Sequence, residues 1–212
     1  MGCPVLILGE SGSGKTYSIK NFDAEEVGIF SVEKNRMPFK KNFKVCKNAT
    51  YEQIMSALKK KDENGNICPS LKRYVIDDSQ YLLVNELFDR VSERGYEKFT
   101  EMAVHFRNLI KHINKNLPDD VIVYFLHHPD MDGNTGRYKA KTVGKMLDEK
   151  LTIEGCFDIV LFTVIENGEH KFATQPDGKV PAKSPEGMFD GDIPNDLKAV
   201  DVAIRNYYEL ED

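Results

Sequence analysis

Residues 9–16 read Gly9-Glu10-Ser11-Gly12-Ser13-Gly14-Lys15-Thr16. The stretch fits the pattern Gly, four residues of any kind, then Gly-Lys-Ser/Thr. Its glycines let the backbone curl so that successive N–H groups converge on one point, at a helix N-terminus whose dipole favours anions. Such a loop suits a chain of phosphates: Lys15 reaches the β- and γ-phosphates and the Thr16 hydroxyl takes a place on Mg²⁺. Gly9, Glu10, Ser11, Gly12, Ser13, Gly14, Lys15, Thr16 and the adjoining Tyr17 are the expected nucleotide contacts. An apolar run at 4–8 precedes the loop and a helix is predicted over 15–21 directly after it. A merely flexible Gly/Ser turn requires neither neighbour.

Further strand-length apolar runs lie at 27–32, 73–76, 121–126 and 157–164, with a short one at 43–46. Most are near-continuous Val/Ile/Leu/Phe/Tyr runs, as expected for strands covered on both faces. Helices are predicted at 51–60, 81–94, 98–116 and 144–153. In the third of these, Phe99, Met102, Ala103, Phe106, Leu109, Ile110 and Ile113 recur at three- and four-residue spacing. The alternation predicts an α/β domain with a central, mostly parallel sheet flanked by helices. Turn-rich segments at 62–69 and 130–142 read as surface loops. Glu166-Asn167-Gly168-Glu169 reads as the turn of a hairpin between 160–165 and 170–174. A Pro/Gly-rich stretch at 176–194 and a last helix at 196–208 follow. The expected division is one domain over 1–212, with a core at 1–165 and a C-terminal hairpin, loop and helix at 166–212.

Carboxylates end two of the strands. Arg73-Tyr74-Val75-Ile76 runs into Asp77-Asp78-Ser79, and an aspartate so placed beside a phosphate loop holds the Mg²⁺ water shell. Asp77 is the expected metal partner with Thr16. Asp78 would orient the attacking water or contact Ser13 or Thr16. Glu33 ends the second run, where a carboxylate can activate water on a γ-phosphate or simply pair with Lys34 or Arg36. The fourth strand ends in His127-His128, where a γ-phosphate sensor is expected. Metal ligation by the pair is disfavoured, because adjacent strand residues point to opposite faces.

Bulk properties set limits on partners. The 212 residues carry a net charge of −5, so no global positive field draws the chain to nucleic acid or an anionic membrane, and a nucleic-acid role needs a local basic patch. Cys3, Cys46, Cys68 and Cys156 form no close pair, which argues against structural zinc and a disulfide framework and for reduced thiols in the cytoplasm. No run is long enough to span a bilayer.

In this order of motifs the sequence resembles the RecA-like P-loop ATPases of bacteriophages, the AAA-family phage nucleotide-binding proteins of the Sak type that act in single-strand annealing and recombination. The shared features are the phosphate loop near the N-terminus, the strand ending Phe30-Ser31-Val32-Glu33, the strand ending Ile76-Asp77-Asp78, and Tyr124-Phe125-Leu126-His127-His128 followed by a basic loop. The resemblance implies ATP and Mg²⁺ as cofactors and hydrolysis as the activity. Lys15, Glu33 or Asp78, and His127 would be catalytic, His127 as the sensor that couples γ-phosphate state to the following loop. That loop would contact single-stranded DNA through Arg137, Tyr138, Lys139, Lys141 and Lys145, a composition suited to gripping phosphates and stacking a base. The family also sets a cationic Lys-x-Arg motif against a neighbour's γ-phosphate. Here Lys183 matches the lysine and Pro185 replaces the arginine. A homo-oligomeric ring or filament with ATP at subunit interfaces is implied, in a bacterial host cytoplasm, with no membrane partner. The acidic tail at 209–212 would either dock a single-strand-binding protein or lie solvated.

Two other readings compete. A small-molecule or nucleotide kinase normally closes an arginine-rich lid, whereas 130–142 has one arginine and two lysines. A nucleotide-dependent protein-binding switch would turn over slowly; the guanine-specific Asn-Lys-x-Asp pattern is absent.

Overall fold

The computed structural model describes residues 1–33 and 36–211. Its core is a sheet of eight strands in the order β10-β9-β8-β1-β5-β4-β2-β3. Six are parallel: β1 (Cys3–Leu8), β2 (Val27–Ser31), β3 (Val45–Lys47), β4 (Arg73–Asp77), β5 (Ile122–His127) and β8 (Ile159–Glu166). β9 (Glu169–Ala173) and β10 (Ile193–Pro194) add to one edge antiparallel, so the expected C-terminal hairpin is present. β5 lies between β1 and β4, which separates the phosphate-loop strand from the acidic strand by one strand width.

Alternation along β1 shows why the runs are continuous rather than striped. Leu6 and Leu8 pack on one face with α1 (Tyr51–Leu58), α2 (Tyr81–Asp89) and α3 (Glu97–Asn116). Val5 and Ile7 pack on the other with Ile19, Phe22 and α5 (Leu197–Tyr208). Each fully buried side chain of this size contributes roughly 2 kcal/mol. Of the α3 stripe, every member is buried except Phe99, which packs half-buried on the same core.

Several boundaries differ from expectation for identifiable reasons. The helix predicted at 15–21 is a 3-10 turn, Thr16–Asn21, in which the Ser18 hydroxyl donates to the Lys15 carbonyl and competes with a regular ladder. The helix predicted at 81–94 stops at Asp89. There Arg90 gathers Glu86, Glu93 and Glu101, and the Lys98 ammonium takes the carbonyls of Arg90 and Glu93 that further turns would need. The helix predicted at 144–153 is reduced to α4 (Lys145–Asp148), whose Asp148 is held by Lys139 and Thr142, followed by a 3-10 turn at Ile153–Cys156. The short strand expected at 43–46 is displaced to Val45–Lys47. The segment 130–142 is not an open loop: β6 (Pro129–Met131) and β7 (Tyr138–Ala140) pair antiparallel, the turn fixed by Asp132 accepting from the N–H groups of Asn134 and Thr135.

Candidate functional site

Because β1, β4 and β5 are parallel, their C-terminal ends bring the loop, Asp77 and His127 to one edge of the sheet. Thr16 and Asp77, 61 positions apart, meet there: the Thr16 hydroxyl lies 3.0 and 3.2 Å from the two carboxylate oxygens of Asp77. Both residues are buried. Lys15, also buried, donates to the carbonyls of Gly9 at 2.5 Å and Glu10 at 2.9 Å. The loop therefore holds its lysine folded back on its own backbone, its charge solvated by carbonyls. A cleft of about 630 Å³ opens over the loop, closed on its side by Tyr17, Arg36, Pro38 and His170.

Long-range contacts fix the loop's shape. The Thr163 hydroxyl of β8 donates to Ser13 Oγ at 2.6 Å. His170 Nδ1, on β9, donates to the Ser13 carbonyl at 2.8 Å, and Asn195 Nδ2 donates to the Gly14 carbonyl at 3.1 Å. These contacts tie the Ser13 and Gly14 carbonyls to the C-terminal hairpin, while within the loop the Gly9 N–H donates to the His127 carbonyl and the Ser13 N–H to the Glu10 carbonyl. The Tyr138 hydroxyl donates to Glu10 Oε1 at 3.2 Å, so the β6–β7 hairpin also touches the loop. Thr163 is detectable in sequence only as a lone polar residue in an apolar strand. His170 and Asn195 carry no local signal, since their role exists only through pairing of distant segments.

Asp78 is buried and adopts a left-handed backbone, φ 59°, which turns the chain off β4. Aspartate tolerates that region better than most residues. Its Oδ1 lies 3.5 Å from His128 Nε2. His128 thus stands beside the Asp78 carboxylate. His127 is fully buried with both ring nitrogens engaged: Nδ1 stands 2.9 Å from the Ser79 hydroxyl and Nε2 2.8 Å from the Lys141 carbonyl. A carbonyl only accepts, so Nε2 carries the proton and Nδ1 accepts from Ser79. Burial above all lowers its pKa from 6.5 to about 4, so the ring is neutral at pH 7. In this arrangement neither nitrogen of His127 is turned to the cleft; it ties the end of β5 to the segment after β7.

The remaining expected residues lie in different surroundings. Glu33 is exposed and lines a separate groove with Glu52, Glu86 and Asp89; Lys34, its expected ion-pair partner, lies outside the described residues, as does Asp212 of the tail. Tyr138 rests against Phe162, ring centroids 5.0 Å apart in a tilted arrangement. Lys139 pairs with Asp148 at 2.6 Å. Arg137, Lys141 and Lys145 are exposed. Lys183 pairs by its backbone with Val160 of β8, and its charge acts on Cys156 in the 3-10 turn before that strand, away from the chain's own phosphate loop. The four cysteines are free thiols, and no group of three or more His, Cys, Asp and Glu side chains placed to hold a metal exists among the described residues. No described helix is long and apolar enough to cross a membrane.

A family model described as an AAA domain matches residues 1–185. Comparison with curated proteins returns no match. The family match covers the phosphate loop, Asp77 and the whole parallel sheet, which brings nucleotide binding with it, and the chain belongs to the AAA domain family of P-loop ATPases.

Proposed function

We propose that the protein binds ATP with Mg²⁺, hydrolyses it, and couples the nucleotide state to single-stranded DNA in phage recombination, annealing or replication, in the cytoplasm of a bacterial host. The observation that carries the reading is the Thr16–Asp77 contact. A hydroxyl and a carboxylate, both buried, both oxygen donors, meet at the mouth of a phosphate loop. Such a hard, oxygen-only set suits Mg²⁺ rather than zinc or copper. Thr16 would hold the ion directly and Asp77 through its water shell, and the ion supplies charge neutralisation on the phosphate oxygens.

The chain's own residues supply the rest. Lys15 exchanges the Gly9 and Glu10 carbonyls for phosphate oxygens, a move of a preformed charge within the loop. The loop N–H groups, held by Thr163, His170 and Asn195, stabilise charge that builds on the γ-phosphate. Asp78 or Glu33 positions the attacking water. Asp78 is the residue beside the phosphate-loop edge, whereas Glu33 needs a neighbouring subunit or a loop movement to reach it. His127 and Tyr138 join the nucleotide end of the sheet to the β6–β7 hairpin, the route by which ATP would change the cations that follow it. Subunits in a ring or filament would bring Lys183 of one copy toward the nucleotide of the next, and the acidic tail would meet a single-strand-binding protein.

Phosphate release tests the reading, measured with and without Mg²⁺ and with and without single-stranded DNA. Wild type is expected to turn over only with Mg²⁺ and to respond to DNA; Lys15→Ala and Asp77→Asn are expected to lose at least a hundredfold in kcat. An Arg137→Ala/Lys141→Ala variant is expected to keep basal turnover and lose the DNA response. Transfer of phosphate to a nucleoside or nucleotide acceptor instead of water, or Mg²⁺-independent turnover, would overturn it.

A further inference from the structure

At the opposite end of the sheet from the phosphate loop, the ends of α1 and α3 enclose a groove of about 520 Å³. The α3 end lies beside the start of β1, where the Gly2 N–H donates to the Leu117 carbonyl. Lys59 and Lys61 line one wall of the groove, Lys111 and Lys115 the other, and Asn108 and Asn116 stand on the same helix. All four lysines are exposed, and none pairs with a carboxylate among the described residues. Cations near helix C-termini are favoured by the helix dipole, which accounts for Lys59 and Lys115. The dipole does not account for Lys111, nor for the absence of any acidic residue from Met102 to Asn116 while the chain as a whole carries −5.

We propose that this groove binds the backbone of a single nucleic-acid strand. It rests on the reading that the protein meets single-stranded DNA, and it moves the principal grip from the β6–β7 hairpin to the α1–α3 face. Four unpaired ammonium groups facing one channel attract a polyanion and release its counterions on binding. Lys111 and Lys115, one turn apart, stand about 6 Å apart along the axis, a step of the order of that between successive phosphates. The amide of Asn108 offers a donor and an acceptor to base edges, the Asn116 amide nitrogen is held by His112 Nδ1 at 2.9 Å, and the half-buried Met55 and Ile67 give an apolar floor for sugars. A groove of this volume takes a ligand of drug-like size, the scale of one or two nucleotides.

Fluorescence anisotropy of a labelled single-stranded oligonucleotide, across a salt series, tests the assignment on the full chain. Lys59→Ala/Lys61→Ala/Lys111→Ala/Lys115→Ala is expected to weaken binding at least tenfold. It should also lower the slope of log affinity against log salt by about 3, from roughly 0.7 per lost phosphate contact. These surface changes lie outside the phosphate site, so unchanged basal ATPase activity and an unchanged melting temperature confirm the fold. Lys111→Glu alone should weaken binding further than Lys111→Ala. The inference is overturned if the quadruple variant binds with wild-type affinity and slope, or if wild type binds a duplex of the same sequence as tightly as the single strand. If the quadruple variant binds normally while Arg137→Ala/Lys141→Ala/Lys145→Ala does not, the groove fails and the hairpin reading stands. If wild type binds no single strand at all, both fall.

Discussion

Gly9, Gly12 and Gly14 sit in one loop but are needed for different reasons. A Cβ on Gly9 would collide with the Thr163 hydroxyl, and one on Gly14, at φ 101°, with the Asn195 amide. Gly12, at φ 80°, would meet nothing within 4 Å. Gly9→Ala and Gly14→Ala should therefore lower affinity for a fluorescent ATP analogue at least tenfold by reshaping the loop. Gly12→Ala should cost only the strain of a left-handed residue, about 1 kcal/mol in denaturant titration. Wild-type affinity in Gly14→Ala would show that the hairpin does not set the loop's shape. His127 gives a second prediction at this scale. The unfolded chain takes up its proton near pH 6.5 and the folded one near 4, so stability is complete above 6.5 and falls as the pH drops. Between pH 7 and 5 the wild type should lose roughly 2 kcal/mol relative to His127→Gln, at about 1.4 kcal/mol per unit. Urea titrations at the two pH values measure it, and parallel losses in both proteins would rule the buried neutral ring out.

Among the elements, β9 and β10 extend the sheet's edge and also bring His170 and Asn195 onto the Ser13 and Gly14 carbonyls. Asn195 Oδ1 is buried there with no hydrogen-bond partner among the described residues, an expensive arrangement that the contact with the loop has to offset. His170→Ala/Asn195→Ala should raise KM for ATP several-fold with a smaller change in kcat, because it loosens a binding loop without removing a group that touches the reacting phosphate. A kcat loss with KM unchanged would contradict the clamp. Helix α3 was legible in the sequence because its apolar spacing, from Phe99 to Ile113, is local and repeats over about four turns. The end of α2 was not, because it depends on Lys98 and Glu101 closing back on Arg90 from the next helix. The hairpin at 129–140 was hidden for a related reason: its strands are three residues each and owe their pairing to Asp132 and to contacts with Glu10 and Lys179.

For the whole molecule, one buried network fastens the C-terminal helix to the sheet. Asp201 of α5 accepts from Tyr124 at 2.8 Å, Arg73 at 2.6 Å and Arg205 at 2.9 Å, joining β4, β5 and α5 beneath the apolar layer. Asp201→Ala would leave two guanidinium groups short of their shared counter-ion and should cost about 3–5 kcal/mol in chemical denaturation. A loss under 1 kcal/mol would mean that packing alone holds α5. The sequence by itself determined the phosphate loop, the strand-and-helix alternation and the acidic end of β4, because each is written in a few contiguous residues whose backbone and side-chain chemistry acts locally. Only the tertiary structure decided that β5 enters between β1 and β4, that Thr16 meets Asp77, that His127 turns away from the cleft, and that Thr163, His170 and Asn195 shape the loop. Those outcomes depend on parallel pairings and contacts between residues up to 181 positions apart, and no local pattern encodes a partner at that distance.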